Sequence, residues 1–131
     1  MAERIRDCQV TVVTKTDGKE TSITKKGELF LDGAEAVVRY FEDNANVEIT
    51  AKERQILIKR QGDYSMTLPL KEGETLDGSL GIGGSEGSLR VHTHKVSYAV
   101  RDGAFLLAAQ YVLFFGTEEQ EMKIRLLAKE M

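Results

Sequence analysis

Apolar and polar residues alternate with a period of two through most of this chain, the signature of half-buried β-strands. Cys8, Val10 and Val12 alternate with Gln9 and Thr11, and Ile56 and Ile58 alternate with Leu57 and Lys59. Tyr64, Met66, Leu68 and Leu70 share one parity, while Pro69 on the other predicts an edge, a bulge or a strand end. Leu89, Val91 and Thr93 alternate with Arg90, His92 and His94, but Val96, Tyr98 and Val100 take the opposite parity. A β-bulge near His94 and Lys95 reconciles the two halves. The pattern predicts strands over 5–15, 20–31, 34–42, 46–52, 55–61, 64–70, 88–101, 104–116 and 119–129.

Glycine punctuates the chain, with 12 Gly against Pro69 alone. Asp-Gly recurs at Asp17-Gly18, Asp32-Gly33, Asp77-Gly78 and Asp102-Gly103, a pair suited to hairpin turns that need positive φ. The segment from Asp77 to Gly87 reads as a glycine-rich connection. Short connections without helices between strands favour antiparallel neighbours and a sheet closed on itself, which removes its edges. The expected fold is all-β, a closed antiparallel up-and-down barrel of eight or nine strands in a single domain over 1–131. Residues 118–131 are rich in helix formers, so a terminal helix is the alternative there, although Met122, Ile124 and Leu126 alternate with Glu121, Lys123 and Arg125.

Ala104 to Phe115 breaks the alternation. Phe105, Leu107, Ala109, Tyr111, Leu113 and Phe115 are apolar on one parity, and Leu106, Ala108, Val112 and Phe114 on the other. A barrel strand has one interior face, so another part of the chain or another subunit must cover the second, unless the segment is a buried helix. Leu106, Val112 and Phe114 are therefore candidate interface residues for a homodimer.

Composition narrows the function classes. The 131 residues carry 18 Lys+Arg against 21 Asp+Glu, a formal charge of −3 that gives no basic footprint for nucleic acid. Lys52, Arg54, Lys59 and Arg60 form the most basic stretch, without interleaved aromatics. The lone Cys8 cannot form an internal disulfide, no leader-like segment opens the chain, and no apolar run is long enough for a membrane-spanning helix. A cytoplasmic location without membrane contact is expected.

Candidate chemistry is thin. Gly83-Gly84-Ser85-Glu86-Gly87 matches the pattern that lifts a serine nucleophile between a strand and a helix, but an alternating strand follows it. His92 and His94 share a strand face and could place two imidazoles on one metal, yet no third ligand lies nearby in sequence. Cys8 sits on an apolar parity and reads as a buried small side chain. Glu118, Glu119 and Glu121, like Glu42 and Asp43, read as solvated turn residues. No catalytic residue, metal site or cofactor is predicted.

Taken in order, several pieces resemble the YwiB-like family of small bacterial domains. They are Gly27-Glu28-Leu29-Phe30 leading into Tyr40-Phe41-Glu42, Ile58-Lys59-Arg60-Gln61-Gly62 before Ser65-Met66, and Gly87-Ser88-Leu89-Arg90-Val91 through Thr93 into a long closing hairpin. The resemblance implies a lipocalin-like, or calycin, barrel and a cytoplasmic protein with no assigned activity. Two departures stand near the expected barrel mouth: Lys26 where the family more often has an acid, and the glycine-rich Leu80 to Glu86. The function expected from all this is a barrel that binds a small apolar or amphipathic molecule, with Arg60, Met66, Tyr98 and Tyr111 lining its interior or mouth. The alternative is an interaction or homodimerising module that uses the outer face of 104–115; an enzyme ranks last.

Overall fold

The computed structural model describes residues 5–42 and 44–131. Asp43 of the acidic pair noted above lies outside the described residues. Ten strands follow one another: β1 (Ile5–Thr16), β2 (Lys19–Asp32), β3 (Glu35–Glu42), β4 (Ala45–Lys52), β5 (Gln55–Gln61), β6 (Tyr64–Lys71), β7 (Thr75–Ile82), β8 (Ser85–Arg101), β9 (Ala104–Phe115) and β10 (Glu118–Glu130). Each pairs antiparallel with its sequence neighbours, and β1 pairs with β10, so the meander closes into a barrel. Residues 118–130 are strand rather than helix, because the alternation of Met122, Ile124 and Leu126 meets the inner wall.

The structure has ten strands rather than eight or nine. The added strand is β7, where a glycine-rich connection was expected. Asp77-Gly78 is not a turn, since Gly78 lies inside β7 opposite Leu89. A Cβ at Gly78 would stand 2.5 Å from the Thr67 carbonyl oxygen, so glycine here serves close strand approach. The β7–β8 turn falls instead at Gly83-Gly84, with φ of 57° and 84°. That turn is also the fate of the serine-nucleophile pattern: Ser85 opens a strand, so nothing lifts its hydroxyl out of the chain.

Other local expectations hold. Asp17-Gly18 and Asp102-Gly103 have positive φ at both positions, as a two-residue type I′ turn requires. The register of β8 on β9 shifts between Thr93 and Lys95, the bulge that the parity inversion demanded. The β6–β7 ladder stops at Thr67, two residues before Pro69, whose ring nitrogen has no hydrogen to donate.

Hairpin connections alternate between two ends. The upper end carries the turns β1–β2, β3–β4, β5–β6, β7–β8 and β9–β10; the lower end carries the others, with the start of β1 and the end of β10. Inside the lower half, Cys8, Leu29, Ala36, Ala51, Ile56, Leu70, Phe105 and Ala128 are sealed from solvent, none above 1% exposure. The apolar period-two residues of all ten strands meet in that one core.

Candidate functional site

Both halves of the inner wall carry half-buried apolar side chains, Leu31, Leu76, Val96, Tyr98 and Val100 toward the lower end and a second set toward the upper. Ile23, Met66, Leu80, Phe115 and Met122 pack on the core but remain half-buried, and Ile82 at the rim is 60% exposed. Apolar side chains at this rim are thus partly in water. The reason is local: near the upper turns of β5–β6 and β7–β8 the inward positions include Gly62, Gly87 and short connections that supply no bulky plug.

Polar groups stand beside this apolar ring. Arg60, on the inward parity of β5, lies opposite Met66, which lies opposite Leu80. Its guanidinium bonds the Tyr64 carbonyl oxygen at 2.8 Å and the Asp63 carboxylate at 2.9 Å, and its carbon sits 3.7 Å above the centre of the Tyr64 ring. The Arg60 side chain is only 11% exposed while that of Asp63 is 71% exposed, so the cation lies under its partner, against the barrel. Arg60 holds the Asp63 carboxyl below the usual carboxylate range, chiefly through their hydrogen bond. Five N–H donors serve a guanidinium, and the two contacts leave others available.

Tyr40 and Tyr111 are buried on the inner walls of β3 and β9, both in the upper half. Burial raises the Tyr40 phenol well above its ordinary value, with the Glu42 and Tyr111 charges adding to it. Burial alone pushes Tyr111 up to about 12. Both phenols are neutral hydrogen-bond donors at neutral pH. Thr93, the cross-strand partner of Tyr111, has no solvent exposure, and its hydroxyl has no hydrogen-bond partner. Its backbone is fully used, donating to the Glu74 carbonyl at 3.1 Å and accepting from the Gly73 amide at 2.8 Å.

Of the four residues expected to line a ligand chamber, Arg60, Met66 and Tyr111 share the upper half. Tyr98 does not join them: it faces the lower end, 6.1 Å between ring centres from Phe105, and its hydroxyl accepts from the Arg54 amide at 3.1 Å. That bond secures the β4–β5 turn, in which Glu53 and Arg54 both hold positive φ without glycine. Tyr40, Ile23, Leu80, Phe115 and Met122 were not among the expected site residues; the parity of Phe115 and Met122 was readable, whereas Leu80 fell in the expected glycine-rich connection.

The candidate interface residues also separate. Leu106 is 44% exposed beside Leu127, Val112 is buried between its register neighbours His92 and Glu121, and Phe114 lies half-buried beside Arg90. The basic stretch is dispersed in the same way, Lys52 and Arg54 at the lower end, Lys59 on the outer wall and Arg60 inside. The rings of His92 and His94 stand 5.0 Å apart on the outer wall, with His92 Nδ1 2.8 Å from the Thr75 hydroxyl. Among the described residues no three His, Cys, Asp or Glu side chains are placed to hold a metal ion. Cys8 is buried, and desolvation, with Asp7 and Glu28 nearby, raises its thiol pKa, the opposite of an activated nucleophile.

The model of a domain of unknown function, DUF1934, matches residues 8–126. The chain belongs to the DUF1934 family. The fold has a solved counterpart in the crystal structure of the ywiB protein from Bacillus subtilis, which superposes with a TM-score of 0.77 at 16% identity over 98% of this chain and 93% of that one. At that identity the likeness concerns the barrel alone. Among curated proteins none matches. The family description carries no activity, so the DUF1934 chain must be read from its own side chains. No described helix is long and apolar enough to cross a membrane.

Proposed function

We propose that this DUF1934 protein is a non-catalytic binding module that takes a small amphipathic molecule at the upper mouth of its barrel. The observation that carries this reading is a juxtaposition at the upper end: half-buried inward apolar residues stand beside the largely covered Arg60 guanidinium and two buried phenols. An apolar body would lie against Ile23, Met66, Leu80, Phe115 and Met122, removing from water surface that the fold leaves wet. A polar or anionic head would accept hydrogen bonds from Arg60 and from the Tyr40 or Tyr111 phenol. Among the described residues, neither a nucleophile with an adjacent base nor a complete metal set stands at this mouth, which favours binding over turnover.

Displacement of an anilinonaphthalene sulfonate probe by laurate and by dodecanol tests it. Laurate displaces the probe, dodecanol does so more weakly, and Met66→Glu abolishes both. Arg60→Met weakens laurate by about tenfold and leaves dodecanol unchanged, as loss of one charge-assisted contact requires. Equal displacement from wild type and Met66→Glu would place the probe elsewhere and end this reading.

A further inference from the structure

The outer wall of β1, β10, β9 and β8 carries a second concave surface, distinct from the mouth. Its three cross-strand rows follow from register. Thr11, Leu127, Leu106 and Ala99 form the first, Val13, Arg125, Ala108 and Ser97 the second, and Lys15, Lys123, Gln110 and Lys95 the third. Small side chains at Ala99, Ser97 and Ala108 floor a trough, whose apolar part has a volume of about 570 Å³ and whose polar part has about 440 Å³. Leu106 and Leu127 are exposed at 44% and 38% in the first row. The trough thus runs from apolar to cationic over three rows, on a chain whose formal charge is −3.

That charge pattern selects the occupant. Arg125 and Lys129 flank Leu127 on the same face of β10, two residues to either side. A two-fold axis through Leu127 would set Arg125 of one copy against Lys129 of the other, twice, so self-pairing on this face brings like charges together. Acids near the trough are Glu20, 3.8 Å from Arg125, Glu72, whose carboxylate accepts from the Val96 amide beside Lys95 at 3.3 Å, and Glu121, the neighbour of Lys123 on the outer face of β10; the exposed Glu20–Arg125 pair is too weak to neutralise the row. A lipid surface is a poor match as well, because among the described residues this face offers only Leu106 and Leu127 as exposed large apolar side chains. Rows two residues apart recur about every 6.8 Å, the spacing of alternate side chains in an extended peptide.

We propose that this trough docks an extended acidic segment of a partner protein, with carboxylates on Lys15, Lys123, Arg125 and Lys95 and an apolar side chain between Leu106 and Leu127. The test uses the full chain and dye-labelled ten-residue peptides: one alternating Glu and Ser with a terminal pair of Leu, one with Lys in place of Glu, and one with Ser in place of Leu. Fluorescence anisotropy should show binding of the Glu/Leu peptide only. Lys123→Glu combined with Arg125→Glu should weaken it by roughly tenfold or more, whereas Lys59→Glu on the opposite wall should not. Both sites are exposed, and unchanged circular dichroism confirms folding. Amide shifts on adding peptide should cluster on β8, β9, β10 and β1. Equal binding of the Glu and Lys peptides, no binding of either, shifts elsewhere, a dimer broken by Leu127→Glu, or co-sedimentation with phosphatidylglycerol vesicles lost in Leu106→Ser would each overturn the proposal.

Discussion

The lower and upper halves of this barrel are built from the same alternating strands, yet they end differently. At the lower end Ala36, Ala51, Ile56, Leu70, Phe105 and Ala128 are sealed, large beside small, while Leu31, Leu76, Val96, Tyr98 and Val100 stay half-buried around them. At the upper end Tyr40, Ala45, Val47 and Tyr111 are buried, and Ile23, Met66, Leu80, Phe115 and Met122 stay half-buried around them. The two ends differ less in how much apolar surface they leave wet than in what stands beside it, which at the upper end is the Arg60 guanidinium and two buried phenols. Sealed positions in both halves hold the fold, and the upper end sets its half-buried apolar surface beside a cation.

Truncations separate the halves most strongly. Phe105→Ala, in the sealed layer, should cost about 3–5 kcal/mol, the usual range for a buried phenylalanine. Phe115→Ala, already half-wet, should cost less than about 2 kcal/mol, because less surface returns to water and no closed cavity is left. Urea unfolding of both variants measures the difference, and equal losses would abolish the distinction.

Alkaline pH probes the buried phenols of the upper half. Unfolded tyrosine ionises near pH 10, whereas Tyr111 folded is pushed up to about 12 and Tyr40 is raised as well. Between those values the unfolded chain releases protons that the folded chain keeps, so their contribution is complete below about pH 10 and is lost as pH rises. For Tyr111 the loss by pH 12 is on the order of 2–3 kcal/mol. Tyr111→Phe should flatten the decline, and an unchanged slope would show its hydroxyl to be wet.

Thr93→Val exchanges the orphaned hydroxyl for a methyl of the same shape. The variant should be more stable by about 1 kcal/mol, since a desolvated hydroxyl without a partner is a cost. Destabilisation would reveal a bound partner for that oxygen and extend the wet region inward. The smallest effect is chemical and leaves stability unchanged. Hydrogen peroxide should oxidise Met66 and Met122 in the folded protein, while a disulfide reagent should reach Cys8 only on unfolding.

Parity is what the sequence makes legible, and parity names a face, not a height. It placed Arg60, Met66, Tyr98 and Tyr111 on the inner wall, and it located the bulge before Lys95. It could not separate Tyr98 from the other three, because height on a closed barrel depends on the stagger of ten ladders. β7 escaped notice because Gly78 and Gly81 remove side chains where strands crowd, erasing the alternation that marks a strand. The β4–β5 turn left no trace either: Glu53 and Arg54 adopt positive φ without the usual glycine or asparagine, held in part by Tyr98 from across the lower end. Leu106, Val112 and Phe114 share a parity, but neighbours on β8 and β10 decide which of them meets water.

The most direct measurement of the open upper half is methyl NMR with laurate as the probe. Chemical-shift changes confined to the Met66 and Met122 methyl groups, with the Ala36, Ala51 and Ala128 methyls unmoved, are the predicted result. Saturating laurate that moves none of these signals, or that moves the lower-end alanines first, would contradict it.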